Sequence, residues 1–347
     1  MSYRIIFLIM KIKDRYFLPT NTHSVHGSTS SIKNNHVVFS WFGGSKEGSQ
    51  DTCIYLYNLN GKGKTITIGS RDYMPRWNPV LFNLNGKIIL FEKVGGFCDK
   101  WQTFYHDITS WDMNITDKEI RETAKVLPAG LNGPVKTSPL IYNGIIYCGS
   151  SVETFYDWTS YIEEYYADDK ELICFKRRSK PLIVKKEDYI DKIGRSLRTL
   201  GVIQPSLYID KNNLCALFRS SSGISKIYFS KYDYEVDNWT YPIPTNLENP
   251  NSAIDVKSNN GRIYLAWNPS SSHRYPLYLT EISMLYDGHF EILDNVIICD
   301  DIDEYNFIEK GCISPELSYP YITIEDKYIH LSYTYGRNKI EYCKVEI

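Results

Sequence analysis

Apolar residues recur along the chain in short alternating or unbroken runs, each closed by Gly, Asn, Asp or Pro. That is the pattern of many short strands, not of helices. The stretch from Pro79 to Val94, PVLFNLNGKIILFEKV, shows the unit clearly: one apolar run, then Asn85-Gly86, then a second run. Asn-Gly supplies the positive φ angles that a two-residue hairpin turn needs. The unit recurs as GSTSSIKNNHVVFSWFGG from Gly27, PLIYNGIIYCGS from Pro139 and PSLYIDKNNLCALFRS from Pro205. It appears again as SAIDVKSNNGRIYLAWN from Ser252 and PYITIEDKYIHLSYTYGR from Pro320. The six hairpins follow one another at uneven intervals of roughly fifty to seventy residues.

A third strand candidate follows each hairpin, as in DTCIYLYNL, KIYFSKYDY and PLYLTEISM, and in several places a fourth. A sheet of three or four strands cannot bury both faces alone, so six in succession predict an all-β, six-bladed β-propeller. A β-sandwich or β-solenoid is the competing arrangement, and the hairpin-plus-outer-strand repeat favours the propeller. The expected organisation is one domain over residues 1–347. Residues 1–20, with YRIIFLI at their head, would supply the outer strand of the last blade and remove its free edge.

Composition narrows the partners. Lys plus Arg is 39 against 41 Asp plus Glu, a formal net charge of −2, which argues against a nucleic-acid binder. The 29 Tyr, 14 Phe and 7 Trp suit half-buried pleated surfaces. The eight Cys, at 53, 98, 148, 174, 215, 299, 312 and 343, contain no CxxC pair and read as reduced, mostly buried thiols. The apolar run Ile5 to Met10 is short for a signal-peptide core, and no stretch approaches the length of a membrane span. The expectation is a protein that is cytoplasmic or otherwise leaderless and soluble, with no membrane span, no metal and no cofactor. GKGKT from Gly61 lacks the earlier glycine of a phosphate loop, DDIDE from Asp300 reads as a solvated loop, and the basic tract Lys176 to Arg198 as a local patch.

In a propeller the start of each first strand and the end of each second strand open on the same axial face. Here the starts carry His26, Arg76, Asn78, Lys136, Gln204, Asn251 and Tyr319, and the ends carry Glu92, Lys93, Glu153, Arg219, Asn268 and Arg337. Converging groups of this kind would suit a polar or anionic ligand. Trp41, Trp77 and Trp101 are expected between blades.

The segments WFGGSKEGSQDTCIYLY, RWNPVLF, GPVKTSPL, GVIQPSLY, ENPNSAIDV, HRYPLYLTEIS and ELSYPYITI, in that order, resemble the sialidase-like propeller superfamily, in its BNR-repeat branch. The resemblance runs from about His23 to the C-terminus, with remnants of the family's Asp-box turn in SKYDYEVDNW and SMLYDGHF. It implies that Arg219 and Arg274 belong to a carboxylate clamp, guanidinium offering parallel donors to both oxygens. The arginine that opens the first blade in that family is missing, and His26 stands near its place. Tyr319 falls where the family's nucleophile lies, and Gln204 where a glutamate takes the phenolic proton. Glu47 and Asp51 occupy the loop that carries the acid.

The expected ligand is therefore an acidic glycan. The first functional expectation is an exo-glycosidase releasing a terminal carboxylate-bearing sugar such as a sialic acid. Its catalytic candidates are Tyr319, Asp51, Glu47, His26 and Gln204; its binding candidates are Arg219, Arg274, Arg337, Arg76, Asn78, Lys136, Glu153 and Asn251. The alternatives are a uronate lyase in which Tyr319 and His26 exchange protons, and a catalytically silent sugar-binding propeller.

Overall fold

The computed structural model describes residues 9–33, 36–58, 65–69, 74–96, 101–111, 115–154, 157–185, 200–221, 223–300 and 313–347. The strands form successive antiparallel meanders. The first sheet holds β2 (Ser24–Lys33), β3 (His36–Gly44), β4 (Cys53–Asn58) and β5 (Thr65–Ile68). The second holds β6 (Arg76–Leu84), β7 (Lys87–Val94), β8 (Gln102–Asp107) and β9 (Lys125–Val126). Two further meanders are β10 (Leu140–Tyr142) to β13 (Leu172–Arg178), and β14 (Leu200–Asp210) to β18 (Ile243–Glu248). A two-residue parallel bridge, Asp157 with Leu200 and Trp158 with Gly201, joins them. The fifth sheet runs from β19 (Asp255–Asn259) to β22 (His289–Cys299), and the last contains β23 (Leu317–Glu325), β24 (Tyr328–Tyr335) and β25 (Lys339–Glu346).

Six apolar clusters bind these sheets in sequence. Phe42 and Ile54 meet Trp77 and Leu90; Val80 and Phe91 meet Cys148 and Tyr165; Ile162 meets Leu207 and Phe218. Leu217 and Phe229 meet Val256 and Leu265, Leu279 meets Leu331 and Val345, and Trp41 and Phe39 meet Tyr342 of the last sheet. The contacts return to their starting point, so the core is a closed ring of six sheets, the arrangement of a β-propeller. Trp41 and Trp77 lie inside these clusters, and Trp101 packs against one.

Closure comes from β1 (Lys11–Phe17), which pairs antiparallel with β25 at the outer edge of the last sheet. The strand thus lies further along the chain than YRIIFLI, of which residues 3–8 fall outside the described residues. KIKDRYF is almost wholly exposed, and its alternating charges suit a strand at a sheet edge.

The hairpin turns follow their sequence signals: Asn85-Gly86, Asn143-Gly144, Lys211-Asn212 and Asn260-Gly261 all have positive φ at both residues. SKYDYEVDNW makes the turn before β17 (Asn238–Trp239), where the Asp233 carboxylate accepts from the amides of Glu235 and Val236. Among the described residues one helix, α1 (Asp117–Thr123), starts with a capping box between Thr116 and Glu119. Among the described residues no helix is long and apolar enough to cross a membrane. Cys53, Cys148, Cys174, Cys215, Cys299 and Cys343 are free thiols; Cys98 and Cys312, the GKGKT turn, DDIDE beyond Asp300 and the basic tract beyond Lys185 lie outside the described residues.

Candidate active site at the axial face

The first strands reach the axis through a shared distortion. Pairing slips by one residue between His26 and Thr29, Trp77 and Val80, Ile203 and Ser206, and Ser318 and Tyr321. At each slip one residue takes a left-handed conformation: Gly27 (φ 62°), Asn78 (φ 42°), Gln204 (φ 55°) and Tyr319 (φ 55°). Asn251 (φ 58°) does the same just before β19. A bulge re-aims its side chain, and the proline that follows Asn78, Gln204 and Tyr319 needs no ladder partner for its nitrogen there. The left-handed region is costly for a residue such as tyrosine, about 1–3 kcal/mol, and such strain collects at functional positions.

The bulges bring a connected group together. Arg219 Nη1 donates to Tyr319 Oη at 2.9 Å and to Gln204 Oε1 at 3.2 Å, while its Nε donates to Asn251 Oδ1 at 2.8 Å. Gln204 Nε2 donates to Tyr319 Oη at 3.3 Å, so the amide's orientation is set by its two partners. The Arg219 guanidinium also lies over the rings of Trp158 and Tyr319, at 5.4 and 5.7 Å.

Two more arginines complete the cluster. Arg274 Nη2 donates to the Asn251 carbonyl at 3.0 Å, and its Nη1 lies 3.4 Å from Glu316 Oε2. Arg337 Nε lies 3.0 Å from Glu316 Oε1, and its Nη1 pairs with Glu47. Ser318 Oγ donates to the same Glu316 carboxylate at 2.6 Å. Burial, with Arg219 close by, pulls the Arg274 guanidinium down from its ordinary range, and burial does the same to Arg337. A bound anion would relieve both.

His26 packs against Tyr319 with ring centroids 4.0 Å apart and the rings tilted by 54°, and meets Phe42 edge-on. Burial and the surrounding cations Arg337, Arg274, Arg219 and Lys136 hold its imidazole well below the usual histidine range, so it is neutral. Both ring nitrogens are buried with no hydrogen-bond partner among the described residues.

Beneath this group Lys136 Nζ donates to the Pro320 carbonyl and lies over the Tyr321 ring, and Tyr321 Oη donates across the axis to the Leu81 carbonyl at 2.9 Å. Burial lowers the Lys136 ammonium to about 8. Asp255 accepts from Ser206 Oγ and the Ile322 amide, both at 2.8 Å. Tyr321 also borders a cavity of about 400 Å³ that reaches Asn83, Lys257 and Thr323.

Not every sequence candidate joins Tyr319. Arg76 pairs with Glu92, which also accepts from His106 Nε2 at 2.8 Å, within the second sheet. Burial opposes ionisation of Glu92, but His106 and Arg76 outweigh it and hold the carboxyl down. Asp51 takes both the amide and hydroxyl of Ser45 at 3.0 Å, shaping the loop that carries Glu47. Asn78 stands beside Gly27, and Glu153 sits at the end of β11 (Ile145–Glu153), within the electrostatic reach of Arg219. Sequence reasoning missed Glu316 and Trp158. Glu316 stands in ELSYPY three residues before Tyr319, which was the available signal; Trp158 had none.

The profile of the BNR repeat-like domain matches residues 35–331. No curated protein sequence matches the chain. Among solved structures, a protein of unknown function from Dyadobacter fermentans is similar with a TM-score of 0.68 at 11% identity, over 97% of this chain and 99% of that one. A Trypanosoma rangeli sialidase mutant displaying trans-sialidase activity gives 0.57 at 11% identity, over 96% of this chain but only 57% of the sialidase, so the chain spans little more than half of that protein. The parainfluenza virus 5 hemagglutinin-neuraminidase ectodomain gives 0.56 at 10% identity, over 97% and 84%. The profile match, over most of the chain, shows that it belongs to the BNR repeat-like family, and the likeness to these structures is one of fold.

Proposed function

We propose that the axial face binds a terminal sugar bearing a carboxylate and hydrolyses its glycosidic bond. The observation that carries this reading is the set of three guanidiniums, Arg219, Arg274 and Arg337, tied together through Asn251 and Glu316 around Tyr319. Parallel guanidinium donors match a carboxylate and orient the sugar ring over the tyrosine. Tyr319 attacks the anomeric carbon. Glu47, held in reach by Arg337, protonates the leaving oxygen, while Asp51 is spent on its own loop.

A second reading, β-elimination from a uronate, has two observations in its favour. Neutral His26 packs against Tyr319 with both nitrogens unpaired among the described residues, and Gln204 offers Tyr319 an amide where hydrolysis would use a base. Mass spectrometry of products made in H₂¹⁸O from sialosides and uronate-capped oligosaccharides separates the two. Hydrolysis incorporates one heavy oxygen in the released sugar. An unsaturated uronate without the label would replace hydrolysis by elimination. Saturable binding with no product would make the protein a sugar-binding propeller and overturn both.

A further inference from the structure

One donor and one acceptor at the axial face are unspent. Tyr319 Oη receives hydrogen bonds from Arg219 Nη1 and Gln204 Nε2, so these contacts use its lone pairs. Its own proton has no acceptor among the described residues. The complementary group is Glu153, half-buried at the end of β11, whose carboxyl makes no hydrogen bond among the described residues.

Strand geometry sets Glu153 on the face of β11 that meets Gln204 and Trp158. Ser151, two residues earlier and so on the same side of β11, accepts the Gln204 amide N–H at 3.4 Å. Glu153 pairs across the sheet with Trp158, whose ring lies against the Arg219 guanidinium. Arg219 is the charged group that Glu153 faces; Gln204 and Trp158 are neutral. Burial pushes the Glu153 carboxyl up and Arg219 draws it partly back, which brings its proton exchange nearer neutrality.

We propose that Glu153 is the proton acceptor for Tyr319 in the cleavage step, an assignment that rests on the hydrolytic reading above. The phenolic proton passes to the Glu153 carboxylate as the tyrosine oxygen bonds to the anomeric carbon. The bond from that carbon to the leaving oxygen breaks, and the oxygen takes a proton from Glu47. Water then attacks the anomeric carbon and yields a proton to Glu47. The departing phenolate recovers its proton from Glu153, and every group returns to its starting state.

The test uses an aryl glycoside of an acidic sugar, whose leaving group needs little protonation. Glu153→Gln should lower kcat by about 100-fold or more, with KM nearly unchanged, and remove the acid limb of the pH–rate profile. Glu153→Asp should keep that limb and part of the rate. Wild-type kcat and profile in Glu153→Gln would overturn the assignment. If the wild-type protein cleaves no acidic glycoside, the hydrolytic reading fails by itself, and the proton contact is then read by carbon-13 NMR. The Glu153 carboxyl resonance is identified by its loss in Glu153→Gln. Tyr319→Phe should shift its titration midpoint by about half a pH unit or more. An unmoved midpoint would overturn the assignment without any reference to turnover.

Discussion

Replacing His26 with phenylalanine should uncouple stability from pH in a defined window. In the folded chain the imidazole is 2% exposed, packed on Tyr319, and held neutral by burial and four cations. In the unfolded chain it titrates normally, near 6.5. Above that pH both states are neutral and the residue contributes no slope. Below it the unfolded chain takes up a proton that the folded chain refuses, so folding weakens as pH falls. The limiting slope is about 1.4 kcal/mol per pH unit, and the accumulated loss between pH 7.5 and 5.5 is about 1.4 kcal/mol. His330 is also lowered by burial, but it is present in both proteins and cancels in their difference. Urea unfolding followed by tryptophan fluorescence at the two pH values measures that difference. His26→Phe should be at least as stable as wild type at pH 7.5, having lost two buried unpaired nitrogens. At pH 5.5 its advantage should be larger by about 1.4 kcal/mol. A wild-type-to-variant difference that stays constant between the two pH values would refute a neutral, buried His26.

Other outcomes follow from single contacts. A Cβ on Gly149 would sit 2.1 Å from the Pro205 carbonyl in the neighbouring sheet, so Gly149→Ala should cost about 2–3 kcal/mol, read as a lowered Tm. Lys93 is fully buried, donates to Thr103 Oγ1 at 3.0 Å, and is lowered by burial to about 7 against 10.5 when unfolded. The unfolded chain therefore holds more protons between those values, so stability should rise with pH above 7; Lys93→Met should remove about 2 kcal/mol of that rise by pH 9, measured by urea unfolding. Gln204→Glu places a carboxylate among Arg219 and Tyr319; hydrolysis should persist or increase, whereas a chain acting by elimination should gain nothing.

Much of the ring was legible because its signals are local. Asn85-Gly86 and Asn143-Gly144 specify tight turns whatever surrounds them, and the apolar runs beside them can bury only against a neighbouring sheet. The candidate cluster was legible by position: strand starts and ends picked out Tyr319, Gln204, Arg219 and Arg337, which contacts join into one group. Position alone could not show which charges were already spent. Arg76 stands two residues before the Asn78 bulge, yet Glu92 on the next strand engages it and is itself held by His106 on the strand after, a pairing that depends on register. Glu316 resembles any acidic residue at a strand start until Arg274 and Arg337 arrive from two other segments. Trp158 reaches Arg219 through the parallel bridge at Gly201, where a Cβ would lie 2.0 Å from the Trp158 carbonyl. No pattern of apolar and polar positions encodes such a join.

The most direct measurement compares calorimetric binding of sialic acid with that of its carboxyl methyl ester, on the wild-type protein and on Arg219→Met. If the three arginines receive a carboxylate, the acid should bind wild type at least about tenfold more tightly than the ester, and the gap should shrink markedly in Arg219→Met. Equal affinity of acid and ester for the wild-type protein would contradict the account at its centre.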